Sequence, residues 1–520
     1  MKQDNLHAGQ EAQDKLIAGF NKVADAVRGT LGAAGYNGLL QHELPPFSVI
    51  TNDGVSIAKS IELADPIENM GANLAKEITM RSDKEGGDGT TTAITLAQAI
   101  ITEALPHLSE LSPMELKRQL DECLPIIEKS IDDQKKTISP SEVKAVATIS
   151  AESEEIGSLM QEIYEKIGKD GILYPDISNT YETFYTIGKG IQIKDAGLVS
   201  PYLADFNAQG QLLNAATIKN AHVLITKQKI TSGSDLSKFL EGLYNRHDSV
   251  KELVIFCDEI EALAIGHFIS LKVRDQRPFK AVIVKMPVLW KDWWYEDLAK
   301  MTGATVIDPI AGLTFKTATY EHLGHVESII VDKTNTYLDG TLDVSEYIIE
   351  LEHGDDDSKI RAARLNTKTA RLFVGARTDT ELTYKRLKVD DSRNAAFLAM
   401  KDGIVPGGGL ALLNSAKNLP HTIGGAIMGK ALQAPLRQIM LNAGTSLDEK
   451  QERGIGGTQG FNASTKHVED LMEAGIVDPA SVVKSSVHNA LSVASTLLTT
   501  RVIVTLNPKA PEPQPMMPMI

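Results

Sequence analysis

The sequence predicts a multidomain α/β protein in which two helical outer regions flank a central α/β segment. The chain has 520 residues, a length that corresponds to about three domains of 100 to 200 residues each. Helical periodicity dominates both outer regions, whereas strand-like and helical runs alternate between residues 190 and 365. We therefore expect the chain to leave the outer region, form an inserted domain and return.

The first outer region, up to residue 132, is predicted to be mainly helical. An apolar-periodic stretch covers Leu16 to Leu31, and the glycine-rich turn GAAGYNG follows it. A further helical pattern begins in GGDGTTTAITLA at residues 86–97. Threonine is β-branched and a poor helix former, so three threonines at a helix start indicate a role other than helix formation.

The middle of the chain changes character twice. Residues 133–188 contain two charged helical patterns and the strand-like run GILYPDIS. From residue 190, the apolar runs HVLITKQ, ELVIFCD and KAVIVKMPV alternate with the helical runs DLSKFLEGLYN and EALAIGHFISLKV. This alternation is typical of a βαβ unit with a parallel sheet. After residue 366 the pattern is helical again, and the proline-rich end KAPEPQPMMPMI predicts a disordered tail from about residue 508.

Composition argues against several classes of protein. The formal net charge of −15 argues against a nucleic-acid-binding protein, which normally carries a basic face. Two cysteines without metal-ligand spacing fit a reducing compartment and buried thiols. The N-terminal residues lack the apolar core of a secretion signal, and no stretch reaches the roughly 18 apolar residues of a membrane span. We expect a cytoplasmic protein.

Glycine clusters beside helix ends predict a nucleotide pocket. In GDGTTT, the glycines permit close backbone approach to a ligand, and the helix start favours an anion. Threonine hydroxyls can donate to phosphate oxygens, and Asp88 is suited to Mg²⁺. Taken alone, GDGTTT is equally consistent with simple helix capping. Two further clusters, TLGAAG at 30–35 and GIVPGGG at 403–409, and the turn TNDGVSIAK at 51–59, favour the pocket.

These motifs together resemble those of the group I chaperonins, the GroEL family. The resemblance runs in order from residue 12 to residue 507 and is carried by TLG at 30–32, NDGVSIAK, IENMGANLAKE, GDGTTT, SPYLADF, MTGATVID, KDGIVPGGGLALL and GFNASTKHVEDLMEAGIVDP. A resemblance over so many collinear motifs is highly specific.

The resemblance implies a GroEL-like architecture of three domains. A helical equatorial ATPase domain would comprise residues 1–132 and 402–520, a small α/β intermediate domain residues 133–188 and 366–401, and an inserted α/β apical domain residues 189–365. It implies ATP-dependent folding of unfolded or partly folded polypeptides in a homo-oligomeric ring of seven subunits. A lid co-chaperonin is a further implied partner; nucleic acid and membrane are not.

The resemblance also implies an ATP site with Mg²⁺ on Asp88. A potassium ion is a further candidate, with Thr30, Asn52 and Thr91 as its ligands. The implied ATP-binding residues are Thr30, Leu31, Gly32, Ala33, Asn52, Gly87, Asp88, Gly89, Thr90, Thr91, Thr92, Ser150, Gly408, Asn462, Ala463, Ser464 and Asp478.

Catalysis is assigned to two carboxylates by the same resemblance. Asp391 would activate the attacking water, and Asp53 would assist, since phosphoryl transfer needs a positioned water and charge neutralisation. Asp390 is adjacent, but the spacing of twelve positions from Asp391 to Gly403 matches the family. Asp391 is therefore preferred.

The implied polypeptide-binding surface consists of apolar side chains in the apical domain. Exposed apolar patches mark interaction sites, although each of these side chains is equally suited to core packing. The candidates are Leu198, Tyr202, Leu203, Leu240, Leu263 and Phe268.

Some positions depart from the family pattern. Ala33 replaces a proline of the phosphate turn, and Asn52 replaces a lysine before Asp53. A glycine pair at the returning apical hinge is missing, and only Asn366 there tolerates unusual backbone angles well. A glycine-rich apical loop is replaced by KMPVLWKDWWYEDL, which contains all three tryptophans. These tryptophans either pack locally or form an added contact surface.

Two other functions are consistent with parts of the sequence. A metabolic ATP-dependent enzyme would need its own cluster of polar substrate-binding residues, and we find none outside the nucleotide motifs. A ring-forming scaffold that binds nucleotide with little hydrolysis would not need Asp53, Asp88 and Asp391 together. Stimulation of ATP turnover by an unfolded protein distinguishes a folding machine from both.

Overall fold

A computed structural model describes residues 6–41, 48–86, 89–178, 180–205, 215–231, 239, 252–273, 280–287, 291–445 and 454–505. The chain forms two compact units. Unit 1 comprises Met1–Glu165, Ile177–Thr183 and Val374–Ile520, and unit 2 comprises Lys166–Asp176 and Phe184–Phe373. The residues predicted as the first intermediate segment, 133–188, are distributed over both units, and the division of the chain into three domains stays a prediction.

The described helices are, in chain order, α1 Gln10–Arg28, α2 Gly54–Ser60, α3 Pro66–Gly86, α4 Thr90–Ala104, α5 Pro113–Asp133, α6 Lys144–Ala151, α7 Glu154–Ile167, α8 Ala262–Val273, α9 Lys291–Thr302, α10 Ser345–Glu352, α11 Asp356–Leu365, α12 Asp379–Asp402, α13 Leu410–Ser415, α14 Ile423–Ala431, α15 Ala434–Asn442 and α16 Ala480–Thr499. The described strands are β1 Leu6–Ala8, β2 Gly38–Gln41, β3 Ser48–Thr51, β4 Ile172–Ile177, β5 Phe184–Lys194, β6 Ala216–Thr226, β7 Glu252–Cys257, β8 Lys280–Lys285, β9 Gly324–Val331, β10 Asn335–Asp339, β11 Lys368–Val374, β12 Ile404–Pro406, β13 Gln459–Asn462, β14 His467–Asp470, β15 Val477–Pro479 and β16 Val502–Val504.

Unit 1 is built around a helical core. In α1, Leu16, Phe20, Val23 and Val27 are buried at helical spacing, as an amphipathic helix requires. They share one apolar cluster with buried side chains of α3, α4, α5, α14 and α16. This core fixes the start of α4, where the three threonines lie.

The helix α12 packs against α6 within unit 1. The residue before the helix, Thr378, is its N-cap, and its side chain accepts a hydrogen bond from the Glu381 amide. The helix ends at Gly403, whose φ of 86° lies in the region that glycine adopts at little cost. The buried residues Val389, Ala395, Ala396 and Ala399 place its apolar stripe inward.

Unit 2 contains an eight-stranded sheet of order β4-β11-β5-β10-β9-β6-β7-β8. The three strands at one end are parallel, with Val223 opposite Val254 and Val254 opposite Val282. The sequence prediction of a parallel βαβ region is confirmed for these strands. The paired strands β6–β9, β9–β10, β10–β5 and β5–β11 are antiparallel.

The parallel strands are buried on both faces, which explains why their sequences are continuous apolar runs. Val223 and Ile225 belong to the cluster that includes residues of α9, α10 and α11. Leu224 belongs to the cluster on the other face, with Ala264 and Phe268 of α8. Both hydrophobic clusters therefore depend on this part of the sheet.

Two departures from the family pattern can be located in unit 2. Trp294 of α9 is 5% exposed and belongs to the hydrophobic cluster that includes Val223 and Ile225. The guanidinium of Arg364 lies over the Trp294 ring, 4.7 Å from the ring centre. Asn366 ends α11 with φ −84°, so it does not use the left-handed backbone that asparagine tolerates. Trp290, the helical run DLSKFLEGLYN apart from Phe239, and the proline-rich tail lie outside the described residues.

Candidate functional site

A cavity of about 660 Å³ lies within unit 1, a size suited to a small-molecule ligand. All the described residues of the predicted nucleotide site and both predicted catalytic aspartates line it. Gly87 and Asp88 lie outside the described residues. The cavity brings together segments from residue 30 to residue 486, and it is built from the following elements.

The turn after α1 forms one wall. Gly32 has a φ of 83°, a conformation that favours glycine. The Thr30 hydroxyl donates to the carbonyl of Val27 at 2.8 Å, and the Asn442 amide donates to the carbonyl of Leu31 at 2.9 Å. The first bond joins the turn to α1 and the second joins it to α15, even though Ala33 replaces the family's proline.

The start of α4 forms the next wall. Gly89 immediately precedes α4 and has a φ of 79°. Within the described residues, no side chain caps the start of this helix. A Cβ at Gly89 would lie 2.6 Å from Val482 Cγ1 and 2.7 Å from Ser486 Oγ. Only glycine therefore fits between α4 and α16. Gly89 and Thr90 to Thr92 line the cavity, and the start of a helix is suited to an anion.

The turn before α2 lies against the same threonines. The Asp53 carboxylate accepts hydrogen bonds from the amides of Val55 at 3.2 Å and Ser56 at 2.8 Å, so it caps α2. A Cβ at Gly54 would come within 2.9 Å of Thr91 Oγ1. A carboxylate has about four lone-pair sites, so Asp53 can cap the helix and still accept a bond or bind a cation in the cavity.

Helix α12 contributes Asp391. The neighbouring Ser392 is fully buried, and its hydroxyl donates to the carbonyl of Ala147 in α6 at 3.0 Å. Asp391 lines the cavity, whereas Asp390 lies 3.6 Å from Arg393 on the same helix. The two adjacent carboxylates thus have different surroundings.

Three buried polar atoms at the cavity have no hydrogen-bond partner within the described residues: Asn52 Oδ1, Thr148 Oγ1 and Ser150 Oγ. Buried polar atoms are nearly always paired in native proteins. Because all three atoms lie at one cavity, we expect a ligand, an ion or water to provide their missing partners.

Residues of the β12–β15 pair and of β13 form another wall of the cavity. Asn462 Oδ1 accepts from the Ser464 amide at 2.9 Å, and Asp478 is paired with Val405 in the β12–β15 ladder. Gly408 has a φ of 62°. The buried ring of Phe461 adds an apolar surface, which suits a flat organic group.

Several cavity residues were missed by the sequence analysis. Asp83, Glu152, Glu154 and Lys388 line the cavity. For Lys388 a signal existed, because a residue three positions before Asp391 lies on the same helix face. Glu152 lies two residues after Ser150, but its orientation depends on a backbone φ of 52°, which the sequence does not reveal.

The predicted polypeptide-binding residues of unit 2 differ in exposure. Tyr202 is 63% exposed and Leu263 is 76% exposed. Leu203 and Phe268 are buried in one apolar cluster, and Leu198 packs against it. Leu240 lies outside the described residues. The first two side chains are available at the surface, whereas Leu203 and Phe268 support the elements that carry them.

The described part of the chain also bears on metal binding and membrane crossing. It contains no group of three or more His, Cys, Asp or Glu side chains arranged to hold a metal ion. None of its helices has the length and apolar character that a membrane crossing requires.

Comparison with known proteins identifies the relatives of this chain. The family model described as the TCP-1/cpn60 chaperonin family matches residues 23–237 and 247–508. Two crystal structures of the chaperonin gp146 from the bacteriophage EL 2 (Pseudomonas aeruginosa), crystal forms I and II in the presence of ATP-BeFx, share the fold. Their TM-scores are 0.65 and 0.66 at 18% identity, and the matches cover 96% of this chain and 99% and 98% of theirs.

Proposed function

This chain belongs to the TCP-1/cpn60 chaperonin family, and on that premise we propose that it binds non-native polypeptides and promotes their folding through ATP binding and hydrolysis. The resemblance inferred from the sequence is thereby confirmed at the level of the family and the fold. The observation that carries the ATP-dependent part is the single cavity that collects every described residue of the predicted nucleotide site.

We infer an orientation of the nucleotide from the residues that line this cavity. The amides and threonines at the start of α4, with the Thr30–Ala33 turn, suit the phosphates. The Phe461 ring and the side chains of Asn462 and Ser464 suit the base and ribose. The gp146 structures were obtained in the presence of ATP-BeFx, which supports a nucleotide as the ligand here as well.

Mg²⁺ fits the chemistry of this cavity. Mg²⁺ is usually held by one or two carboxylates plus phosphate oxygens and waters, so a cluster of three protein ligands is not required. Asp53 and Asp391 offer carboxylates at the phosphate end, and Asp88 remains the predicted ligand. The unpaired Asn52 Oδ1 is a suitable oxygen for K⁺. The bound cation would offset phosphate charge during hydrolysis.

Asp391 is the proposed general base for the attacking water. The experiment compares Asp391→Ala with Asp390→Ala, a matched control that removes the same charge from the adjacent residue. General-base catalysis typically contributes about 10²–10⁴-fold, so Asp391→Ala should lower ATP turnover by about 100-fold or more, while Asp390→Ala stays within about threefold. Equal activity of the two variants would contradict the assignment.

Polypeptide binding is proposed for the surface around Tyr202 and Leu263. Both are large, exposed and carried by elements that pack on the same apolar cluster, and such surfaces favour apolar segments of unfolded chains. Leu263→Glu should abolish the capture of a chemically denatured test protein. Leu342→Glu is the matched control, since Leu342 is also exposed in unit 2, at 54%. Equal capture by both variants would exclude Leu263.

Assembly into a homo-oligomeric ring of seven subunits, with a lid co-chaperonin, completes the proposal. Native mass determination with and without ATP measures the subunit number directly. Addition of an unfolded protein should change ATP turnover if the chain is a folding machine. Unchanged turnover, with a ring intact, would favour a nucleotide-binding scaffold.

A further inference from the structure

The charges around the cavity are strongly unbalanced. The described acidic residues that line it are Asp53, Asp83, Glu152, Glu154, Asp391 and Asp478. Among the described lining residues, the one cationic side chain is Lys388. A nucleoside triphosphate carries several negative charges, so it can enter this cavity only where cations oppose the carboxylates.

Lys388 is held at the cavity by an ion pair. Its side chain is 12% exposed, and its Nζ lies 2.7 Å from Oε1 of Glu152. Burial alone lowers the pKa of Lys388, but the hydrogen bond and charge of Glu152, with Tyr384 and Asp391 nearby, outweigh burial and raise it. The ammonium is therefore charged at neutral pH.

Asn52 binds the same carboxylate. Its Nδ2 donates to the two oxygens of Glu152 at 2.8 and 3.0 Å. Glu152 has a left-handed φ of 52° at the end of α6, a conformation that is uncommon for a non-glycine residue and is often functional. The Lys388 ammonium and the Asn52 amide thus meet at one carboxylate. The family pattern has a lysine at position 52, and here a positive charge reaches that location from α12.

The neighbours of Lys388 include residues proposed to bind the phosphates. Asn52 immediately precedes Asp53 and Gly54, and Gly54 lies against Thr91 at the start of α4. Lys388 lies one helical turn before Asp391 on α12, so both face the cavity. Lys388 therefore lies near Asp391, and the Glu152 carboxylate connects it to Asn52, next to Asp53.

We propose that Lys388 binds the terminal phosphate of a nucleoside triphosphate and that Glu152 holds the ammonium in place until the nucleotide enters. This inference rests on the proposed ATP-binding function and adds a residue to it. On binding, the ammonium exchanges a carboxylate oxygen for a phosphate oxygen, and the Asn52 amide continues to donate hydrogen bonds to Glu152. The site thereby distinguishes triphosphate from diphosphate.

The test is equilibrium binding of ATP and of ADP, each with Mg²⁺, by calorimetry on the full chain. A lost charged hydrogen bond typically weakens binding about 10–100-fold. Lys388→Met should weaken ATP binding by that factor and ADP binding by less than about threefold. Lys385→Met is the matched control, because Lys385 is on the same helix, pairs with Glu381 at 3.0 Å and does not line the cavity. It should leave both affinities unchanged.

Two further variants make the result specific. Lys388→Arg keeps the charge and should restore most of the preference for ATP. Glu152→Gln removes the competing carboxylate and should bind ATP at least as tightly as the wild type; weaker binding would show that Glu152 does not compete with the phosphate for the ammonium. In Lys388→Met, the Glu152 carboxylate loses its ion-pair partner. The double variant Lys388→Met/Glu152→Gln therefore repeats the ATP and ADP comparison without the charge of Glu152.

The outcomes separate this inference from the proposed function. If the wild type binds neither nucleotide, the proposed ATP-binding function fails. If the wild type binds both and Lys388→Met weakens ATP and ADP equally or not at all, the role of Lys388 is overturned while the proposed function stands.

Discussion

The Ser392 hydroxyl donates a 3.0 Å hydrogen bond to the Ala147 carbonyl, one residue from Asp391. Ser392 is fully buried, and the bond joins α12 to α6 next to the cavity. The proposed general base is therefore held by packing and by this bond rather than by its own contacts alone. Small displacements at such a position are costly for catalysis.

We expect Ser392→Ala to lower ATP turnover by about fivefold, because a buried hydrogen bond contributes about 1 kcal/mol. Ser392→Cys keeps a side chain of similar size with a weaker donor and should give an intermediate turnover. Steady-state ATP hydrolysis together with thermal unfolding measures both effects. Turnover equal to the wild type in Ser392→Ala would show that this bond does not position Asp391.

Gly89→Ala should destabilise unit 1 and weaken nucleotide binding. The substitution combines a positive φ, which costs about 1–2 kcal/mol for alanine, with contacts of 2.6 and 2.7 Å to Val482 and Ser486. Gly444→Ala is the control, since Gly444 has φ 62° and its Cβ would meet no described atom within 4 Å. Denaturant unfolding and ATP binding of the two variants separate the effect of backbone strain from that of the steric clash. Equal losses of stability in Gly89→Ala and Gly444→Ala would show that the structure relieves the clash.

Leu203→Ala and Phe268→Ala should act on stability. Both side chains are buried, at 0% and 3% exposure, and truncating a buried Leu or Phe costs about 2–5 kcal/mol. Tyr202→Ala, at an exposed position, should cost less than about 1 kcal/mol. Denaturant unfolding measures these differences. A loss of polypeptide capture at unchanged stability in Leu203→Ala or Phe268→Ala would contradict their role as core residues.

Asp402 should make unit 1 less stable in acid. Its carboxylate pairs with Lys135 at 2.9 Å and Lys484 at 3.1 Å. Burial alone raises the pKa of Asp402, but hydrogen bonds from the two lysines outweigh burial and lower it below the ordinary value of 3.8. Because the folded pKa is the lower one, the stabilisation is present above pH 3.8 and is lost as pH falls through the folded pKa.

Asp402→Asn should accordingly reduce the free energy of unfolding by about 1–2 kcal/mol at pH 7. The difference from the wild type should shrink between pH 7 and pH 2, as the pH falls below 3.8 and through the lower pKa of the folded state. Urea unfolding at both pH values measures it, with Asp133→Asn at an exposed position as the control. A difference that is the same at pH 7 and at pH 2 would show that the ion pairs do not stabilise the fold.

Local patterns predicted much of the fold. The helical periodicity of Leu16 to Leu31 corresponds to α1, and the threonines of GDGTTT begin α4. The continuous apolar runs of β6, β7 and β8 form the parallel strands. The sequence did not predict how the five other strands of the sheet pair. Antiparallel pairing between segments far apart in the chain cannot be recognised from the residues of either segment alone.

The candidate site was predicted where glycine or capping chemistry leaves a local signal. Gly32, Gly89 and Gly408 all have positive φ, as their turns require. Lys388 and Glu152 were missed, since they are 236 residues apart and neither belongs to a glycine motif. The burial of Leu203 beside the exposed Tyr202 was equally invisible, because adjacent residues in a turn differ in exposure only through what packs against them.

By itself, the sequence determined the helices and turns that surround the cavity, the parallel strands of unit 2 and membership of the chaperonin family, since these depend on local periodicity, glycine conformation and ordered motifs. Only the tertiary structure decided which side chains meet. It directs Lys388 and Asn52 to the carboxylate of Glu152, and it buries Leu203 and Phe268 while leaving Tyr202 and Leu263 at the surface. Such contacts depend on how distant helices and strands pack, and packing is a property of the whole core rather than of any segment.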